Sequence, residues 1–263
     1  MNIALVGYGK MGHMLEQTAL SLGHTVVATV DPFASDASCK IAAGDSKAMA
    51  DAVKESGAEG VIEFTSPASV IQNIEALLPL KLPLVVGSTG WKEKEADIAS
   101  LAASCGGTIM RSANFSIGVN LFYKIVEEAS RLVAHFDEYD MAVWEMHHNQ
   151  KADSPSGTAL DVARRVMAGN PAKTEMVTDA FHAKPQKNQL HVSSTRCGSV
   201  PGTHTVFFDS PADTIELTHT ARSRQGFASG AVHALENLVT FLKEGKLTPG
   251  KLYGMSDVFP GMF

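Results

Sequence analysis

Along the first half of the chain, short apolar runs alternate with longer stretches whose apolar residues recur at helical spacing. Residues 2–6 form the first run and predict a buried strand. In residues 13–21, Met14, Leu15, Thr18 and Ala19 share one face with Leu22, which predicts a helix that Gly23 ends. Residues 24–30 predict a second strand, closed by Asp31. The alternation continues with a helix at 48–54, a strand at 60–64, a helix at 68–78, a strand at 82–86, a helix at 92–104 and a strand at 107–110. Repeated strand–helix units with apolar strands predict a parallel sheet covered by helices on both faces.

The pattern changes after Phe115. A long helix is expected at 118–132, with Val119, Phe122, Ile125, Val126 and Ala129 buried. Residues 139–146 are apolar on both alternating faces and read as a covered strand. A helix follows whose first turn is Pro155-Ser156-Gly157-Thr158 and whose apolar face carries Leu160, Ala163, Val166 and Met167. Short strands at 190–196, 203–209 and 214–221 are separated by Gly198, Pro201-Gly202 and Pro211. Residues 229–243 return to helix, and 252–263 read as loop. The expected class is α/β: a Rossmann-type doubly wound parallel sheet, with a second α+β domain carrying a mixed or antiparallel sheet. The expected division is 1–115 with 225–263 as the dinucleotide-binding domain, and 116–224 as the substrate domain.

Composition narrows the partners. The chain has 263 residues, a net charge of −6 and 44% hydrophobic residues. Mild acidity gives no reason to expect nucleic acid or an anionic membrane. No apolar run approaches the roughly 18 residues that span a bilayer. Cys39, Cys105 and Cys197 lack motif spacing and read as free thiols in a reducing compartment, so a cytoplasmic location is expected. No cluster has metal-ligand spacing, and no metal is expected.

Gly7-Tyr8-Gly9-Lys10-Met11-Gly12 joins the first strand to the first helix as G-x-G-x-x-G, and Asp31 follows after about 20 residues. The first glycine permits the tight turn, the second a close approach of pyrophosphate, and the third close helix packing. Asp31 can accept bonds from ribose hydroxyls and would repel a 2′-phosphate. Pro32, Phe33, Ala34 and Ser35 bring no arginine to offset it, leaving Lys10 as the nearby cation. NADH is therefore favoured over NADPH, with either cofactor admitted. The small polar segments Thr65-Ser66-Pro67, Gly87-Ser88-Thr89-Gly90 and Arg111 to Phe115 all end strands, which is the ligand edge of such a sheet.

Glu145 to Ala159 concentrates other chemistry. His147, His148 and Lys151 precede a helix start, whose free N–H groups and positive dipole end favour an anion. A carboxylated or phosphorylated substrate that must be protonated would suit them. The plain alternative is ordinary helix capping by the Ser-Pro pair at the helix start. His147 and His148 are adjacent on an extended chain, so they point to opposite sides and are poor partners for one metal.

Those residues carry a resemblance. Glu145-x-His147-His148-x-x-Lys151-x-Asp153-x-Pro155-Ser156-Gly157-Thr158-Ala159 resembles, without a gap, the signature of the 4-hydroxy-tetrahydrodipicolinate (dihydrodipicolinate) reductase family. Gly7 to Gly12, Gly87-Ser88-Thr89, Ser112-Ala113-Asn114-Phe115, Arg224 with Phe227, and Tyr253 to Asp257 also match family blocks. The resemblance implies NAD(P)H-dependent reduction of a small cyclic dicarboxylate imine in diaminopimelate and lysine biosynthesis. It implies His147 as the proton donor and acceptor, with Lys151 as second donor. His148, Ser156, Gly157, Thr158 and Arg224 would contact the substrate. Gly7, Tyr8, Gly9, Lys10, Met11, Gly12, Asp31, Gly87, Ser88, Thr89, Ser112, Ala113, Asn114 and Phe115 would hold the nucleotide. It also implies a homotetramer built through the second domain. Asp31-Pro32 departs from the acid–arginine pair of many members, and Ser88 replaces a commoner threonine. Two other classes fit the first domain: another two-domain NAD(P)-dependent dehydrogenase, and a non-catalytic NADH-sensing protein. The first leaves the His147–Lys151–Thr158 cluster without a role, and the second predicts binding without turnover.

Overall fold

A computed structural model describes residues 1–262. Its first stretch runs β1 (Asn2–Val6), α1 (Lys10–Ser21), β2 (Thr25–Val30), α2 (Ser46–Glu55), β3 (Gly60–Glu63), α3 (Val70–Leu77), β4 (Leu84–Val86), α4 (Glu95–Cys105) and β5 (Ile109–Arg111). There follow α5 (Ile117–Val133), β6 (Asp140–His147), α6 (Gly157–Gly169), β7 (Glu175–Val177), β8 (Gln189–Arg196), β9 (Thr203–Asp209) and β10 (Thr214–Thr220). The last stretch holds α7 (Gln225–Lys243), β11 (Leu252–Tyr253) and α8 (Met255–Val258). The chain divides into two compact units: Met1–Ile117 with the chain from Gln225 onward, and Gly118–Arg224.

The first unit is a parallel sheet in the order β11-β5-β4-β3-β1-β2. Its strands are mostly apolar because both faces are covered. Ile3 and Leu5 face the core formed with α1 and α7, where Leu15, Ala231 and Leu235 pack. Ala4 and Val6 face the opposite core, with Met49 of α2, Ile74 of α3 and Ile98 of α4. Alternate residues of one strand therefore serve two different layers. The strand order reverses at β1, with β2 on one side and β3 on the other. That switch point opens a crevice at the strands' C-terminal ends.

The second unit is a mixed sheet in the order β10-β9-β6-β8-β7. β6 pairs parallel with β8 and antiparallel with β9. One face packs on α5 and α6 through Met141, Val143, Leu190, Val206, Phe122 and Val162. The expectation of a strand covered on both faces is corrected here: Ala142, Trp144 and Met146 on the other face of β6 are only half-buried.

Other expectations also shift. α1 starts at Lys10 rather than His13, because Gly12 has no side chain to keep the helix from the loop. Pro155 lies outside α6, which Ser156 caps by accepting a bond from the Ala159 N–H. α7 begins at Gln225 rather than 229. Strand β7 lacked a signal because its outward position is polar and the strand is short. The tail is not all loop: β11 joins the sheet edge beside β5, and α8 follows. Phe263, the last residue of that tail, lies outside the described residues.

Candidate active site

β1 runs into Gly7 at φ +93°, where an added Cβ would lie 2.1 Å from the Phe64 carbonyl oxygen. Only glycine fits that turn. A Cβ on Gly12 would meet the Gly7 carbonyl oxygen at 2.4 Å, so α1 packs directly on the loop. Gly9 differs, since nothing lies within 4 Å of its added Cβ, and it precedes α1 with no side-chain cap. Two glycines close the loop, and the middle one leaves the helix N-terminus open. This cradle fits the pyrophosphate of a dinucleotide.

A cavity of about 510 Å³ adjoins the loop, lined in part by Gly9, Asp31, Phe33, Asp45 and Thr65. The Asp31 carboxylate accepts the Tyr8 N–H at 2.7 Å, the Phe33 N–H at 2.8 Å and the Ala34 N–H at 2.9 Å. Burial pushes its carboxyl up, but these three bonds outweigh that and hold it below the usual carboxylate range. Oδ2 carries only one of the three bonds and keeps a lone pair for a ribose hydroxyl. Among the described residues lining this cavity there is no lysine or arginine. Lys10 instead borders an adjoining depression with His13 and Asp36. The Tyr8 hydroxyl is engaged by Glu16, and burial with that bond pushes it up to about 12. Met11 packs against the core.

Ser88 lies at the end of β4, where its hydroxyl accepts the Thr65 N–H at 2.7 Å and its carbonyl accepts the Trp91 indole N–H at 2.8 Å. Gly87 packs on the Phe64 ring, and Thr89 is exposed. Ser112 and Asn114 brace their own turn through the Ser112 hydroxyl, and Ala113 is exposed. The Phe115 side chain sits in the core, and its carbonyl packs against Gly230 of α7.

In the second unit the chemistry grows out of strand alternation. Met141, Val143, Glu145 and His147 form the inward row of β6. The first two are core, and the last two continue the row at the strand's end. Parallel register places Arg196 of β8 beside His147, and antiparallel register places His204 of β9 beside Glu145. Glu145 is fully buried. It accepts from His147 Nδ1, from Arg196 Nη2 at 2.8 Å and Nη1 at 3.0 Å, and from the Ser156 N–H at 3.2 Å. Burial alone would raise this carboxyl; the His147 and Arg196 bonds overcome it and hold it at about 2. Glu145 is thus a fixed anion at neutral pH.

With Nδ1 engaged, His147 has Nε2 left for exchange. That atom would lie 2.8 Å from a Cβ on Gly202, which has φ +144°. His204 packs edge-on to the His147 ring at 5.2 Å, and its Nε2 lies 3.3 Å from the Ser156 hydroxyl. Burial, then the nearby His147 charge, lowers His204 to about 4, so it stays neutral.

Lys151 pairs with Asp153 at 2.8 Å, and this bond leads in holding Asp153 below the usual carboxylate range. His148 is half-buried and donates its backbone N–H to the Val200 carbonyl at 2.8 Å. Gly157 is exposed, with open space where a Cβ would be. Thr158 is half-buried near Tyr123. Ser156 is buried and directed at Glu145, Ala159 and His204 rather than at solvent. Arg224 is exposed at the end of the unit. Arg196 and His204 were missed by sequence reasoning. Their signal was a charged or polar residue closing an inward row: Leu190, Val192, Ser194 and Arg196, or His204, Val206 and Phe208. Among the described residues, no three or more His, Cys, Asp or Glu are grouped to hold a metal ion.

Comparison with known proteins gives one result over the whole chain. The family model "Dihydrodipicolinate reductase, N-terminus" matches residues 1–115, and its C-terminal counterpart matches 118–259. The 4-hydroxy-tetrahydrodipicolinate reductase of Christiangramia forsetii is 32% identical over 263 residues, covering 100% of this chain and 99% of that protein. The enzyme of the same name from Desulfovibrio desulfuricans is 40% identical over 228 residues, covering 85% and 83%. The fold is shared with a dipicolinate-bound dihydrodipicolinate reductase from Paenisporosarcina sp. TG-14, with a TM-score of 0.73, 21% identity and coverage of 98% and 99%. Likeness at this level extends through both units, and the chain belongs to the dihydrodipicolinate reductase family.

Proposed function

We propose that this protein catalyses the NAD(P)H-dependent reduction of the cyclic dicarboxylate imine named in its relatives, 4-hydroxy-tetrahydrodipicolinate, in diaminopimelate and lysine biosynthesis. The observation that carries the reading is His147, buried, held at Nδ1 by an ionised Glu145 and left with Nε2 to exchange a proton. The 4-hydroxyl first leaves as water, with one proton donated to it and one taken from the neighbouring carbon; the conjugated imine so formed then needs a hydride at one carbon and a proton at its neighbour. The nicotinamide, when bound, supplies the hydride. His147 delivers the proton, and Lys151 acts as second donor and stabilises developing negative charge. His148, Ser156, Gly157, Thr158 and Arg224 are assigned to the two substrate carboxylates, Ser156 through the α6 helix start that it caps. The dipicolinate bound to the Paenisporosarcina relative supports a planar diacid ligand.

NADH is the preferred cofactor in this reading. The support is a cavity that presents Asp31 and Asp45 while Lys10 borders a separate depression. Gly7 to Gly12, Asp31, Gly87 to Thr89 and Ser112 to Phe115 frame the nucleotide, several through backbone atoms alone. The protein acts in the cytoplasm as a homotetramer built through the second unit, whose half-buried Ala142, Trp144 and Met146 support a covering partner. Among the described residues no helix is long and apolar enough to cross a membrane.

Calorimetric titration into the NADH complex tests the substrate assignment. Pyridine-2,6-dicarboxylate should bind more tightly than pyridine-2-carboxylate. Thr158→Val and Arg224→Ala should each weaken the diacid by roughly tenfold to a hundredfold, since a hydrogen bond to a charged group is worth about 1.5–3 kcal/mol. Equal affinity for both acids, or undiminished diacid affinity in both variants, would remove the assignment. A protein that binds NADH and substrate without turnover would be a sensor instead.

Cofactor choice has its own measurement. Wild-type protein should bind NADH more tightly than NADPH, and Asp31→Asn should narrow the gap by removing the charge while keeping an acceptor for the loop N–H groups. Tighter NADPH binding by wild type would overturn this view of Asp31.

A further inference from the structure

Arg196 closes the inward row of β8, and its guanidinium makes contacts on two sides. Nη2 and Nη1 take both oxygens of Glu145, at 2.8 and 3.0 Å. Nη2 also donates to the Asp153 carbonyl at 2.5 Å, and Nη1 to the Thr195 carbonyl at 2.9 Å. We infer that Arg196 is a positioning residue for the proton transfer, holding Glu145 as the fixed partner of His147 and pinning the loop that carries Lys151 through the Asp153 carbonyl. The inference rests on His147 and Lys151 being the proton-handling pair.

The physical case starts with burial. A carboxylate without solvent is tolerated only when paired and fully hydrogen-bonded. A planar guanidinium supplies both needs, because two parallel N–H bonds fix the plane of the carboxylate as well as its charge. That plane decides where Glu145 Oε2 sits, and Oε2 is the atom that meets His147 Nδ1. A lysine would keep the charge and lose the fork. The Asp153 carbonyl bond adds a second duty. Asp153 holds Lys151 through its side chain while Arg196 holds Asp153 through its backbone. One side chain thus sets the geometry of both proton-handling groups.

The charged and titratable neighbours are few. β6 brings Glu145 and His147, β9 brings His204, β10 brings His219, and the loop brings Lys151 and Asp153. Burial lowers both His204 and His219, leaving them neutral near pH 7. Arg196 therefore supplies the fixed positive charge beside Glu145 and His147.

The test is the pH profile of kcat in wild type, Arg196→Lys, Arg196→Met, Glu145→Gln and the Arg196→Met/Glu145→Gln double variant. Thermal melting and NADH affinity monitor folding. Both Arg196 variants should lose roughly ten- to a hundredfold in kcat, a share of what a general acid contributes, with KM changing less. Arg196→Met should displace the pH profile. Arg196→Lys should return that profile toward wild type, because it keeps the charge, while kcat stays low for want of the fork. The double variant should be no slower than the slower single, as expected of residues acting as one unit. Wild-type kcat and pH profile in Arg196→Met, or losses that multiply in the double variant, would overturn the inference. Should Arg196→Met fail to fold, Arg196→Lys decides, since wild-type kcat there would show that the fork does nothing. A fully active His147→Gln would instead sink the proton-donor reading, whatever the Arg196 variants show.

Discussion

His147→Gln is expected to lower kcat by roughly 10²–10⁴, the share that a placed general acid contributes. Glutamine can still reach Glu145 with an amide N–H, so the local packing and the buried carboxylate keep a partner. It has no proton to exchange near neutral pH, so only the chemical step should fail. NADH affinity should be unchanged, and the thermal midpoint nearly so. Lys151→Ala should also lower kcat within that range. If both residues serve one step, the double variant should be less than multiplicatively worse. Steady-state rates with freshly generated substrate, beside NADH titrations of each variant, decide the matter. Near-wild-type kcat in either single variant would remove that residue from the mechanism.

Gly7→Ala is expected to destabilise the first unit by roughly 2–5 kcal/mol, combining a side chain at positive φ with overpacking. The added Cβ would lie 2.1 Å from a backbone oxygen, which cannot rotate away as a side chain would. For a chain of this size that corresponds to a midpoint lower by about 5–15 °C. Gly9→Ala makes the contrast. It meets no protein atom within 4 Å, so the fold should tolerate it. Its methyl group would occupy the space assigned to pyrophosphate, so NADH affinity should fall. Calorimetry and NADH titration on the two variants separate turn strain from ligand approach. A Gly9→Ala protein with wild-type stability and wild-type NADH affinity would place the pyrophosphate elsewhere.

The two glycines also mark a limit of sequence reading. Their spacing announced a strand–turn–helix and a cofactor loop, because a left-handed turn and a close helix leave few alternatives to glycine. It could not say which glycine is held by protein and which is open to ligand. Asp31 is similar. Its place after β2 was legible, but its three bonds to the Tyr8, Phe33 and Ala34 N–H groups were not. They show that the residue builds the loop as well as facing the cavity. Phe115 and Ser156 lay within recognisable motifs, yet their side chains are packed inward.

Local pattern determined much of this protein. Apolar periodicity placed the alternating strands and helices of the first unit, because each strand there is buried on both faces and each helix on one. The gapless run from Glu145 to Ala159 placed His147, Lys151 and the α6 helix start together, because neighbours in sequence cannot lie far apart. Tertiary structure alone decided the rest. The parallel register of β8 on β6 brings Arg196 to His147, and the antiparallel register of β9 brings His204 to Glu145. The short β11 finds its place only because β5 offers an open edge. Such pairings depend on which backbone edges meet across distant segments, and a one-residue slip would turn Arg196 and His204 to the opposite face.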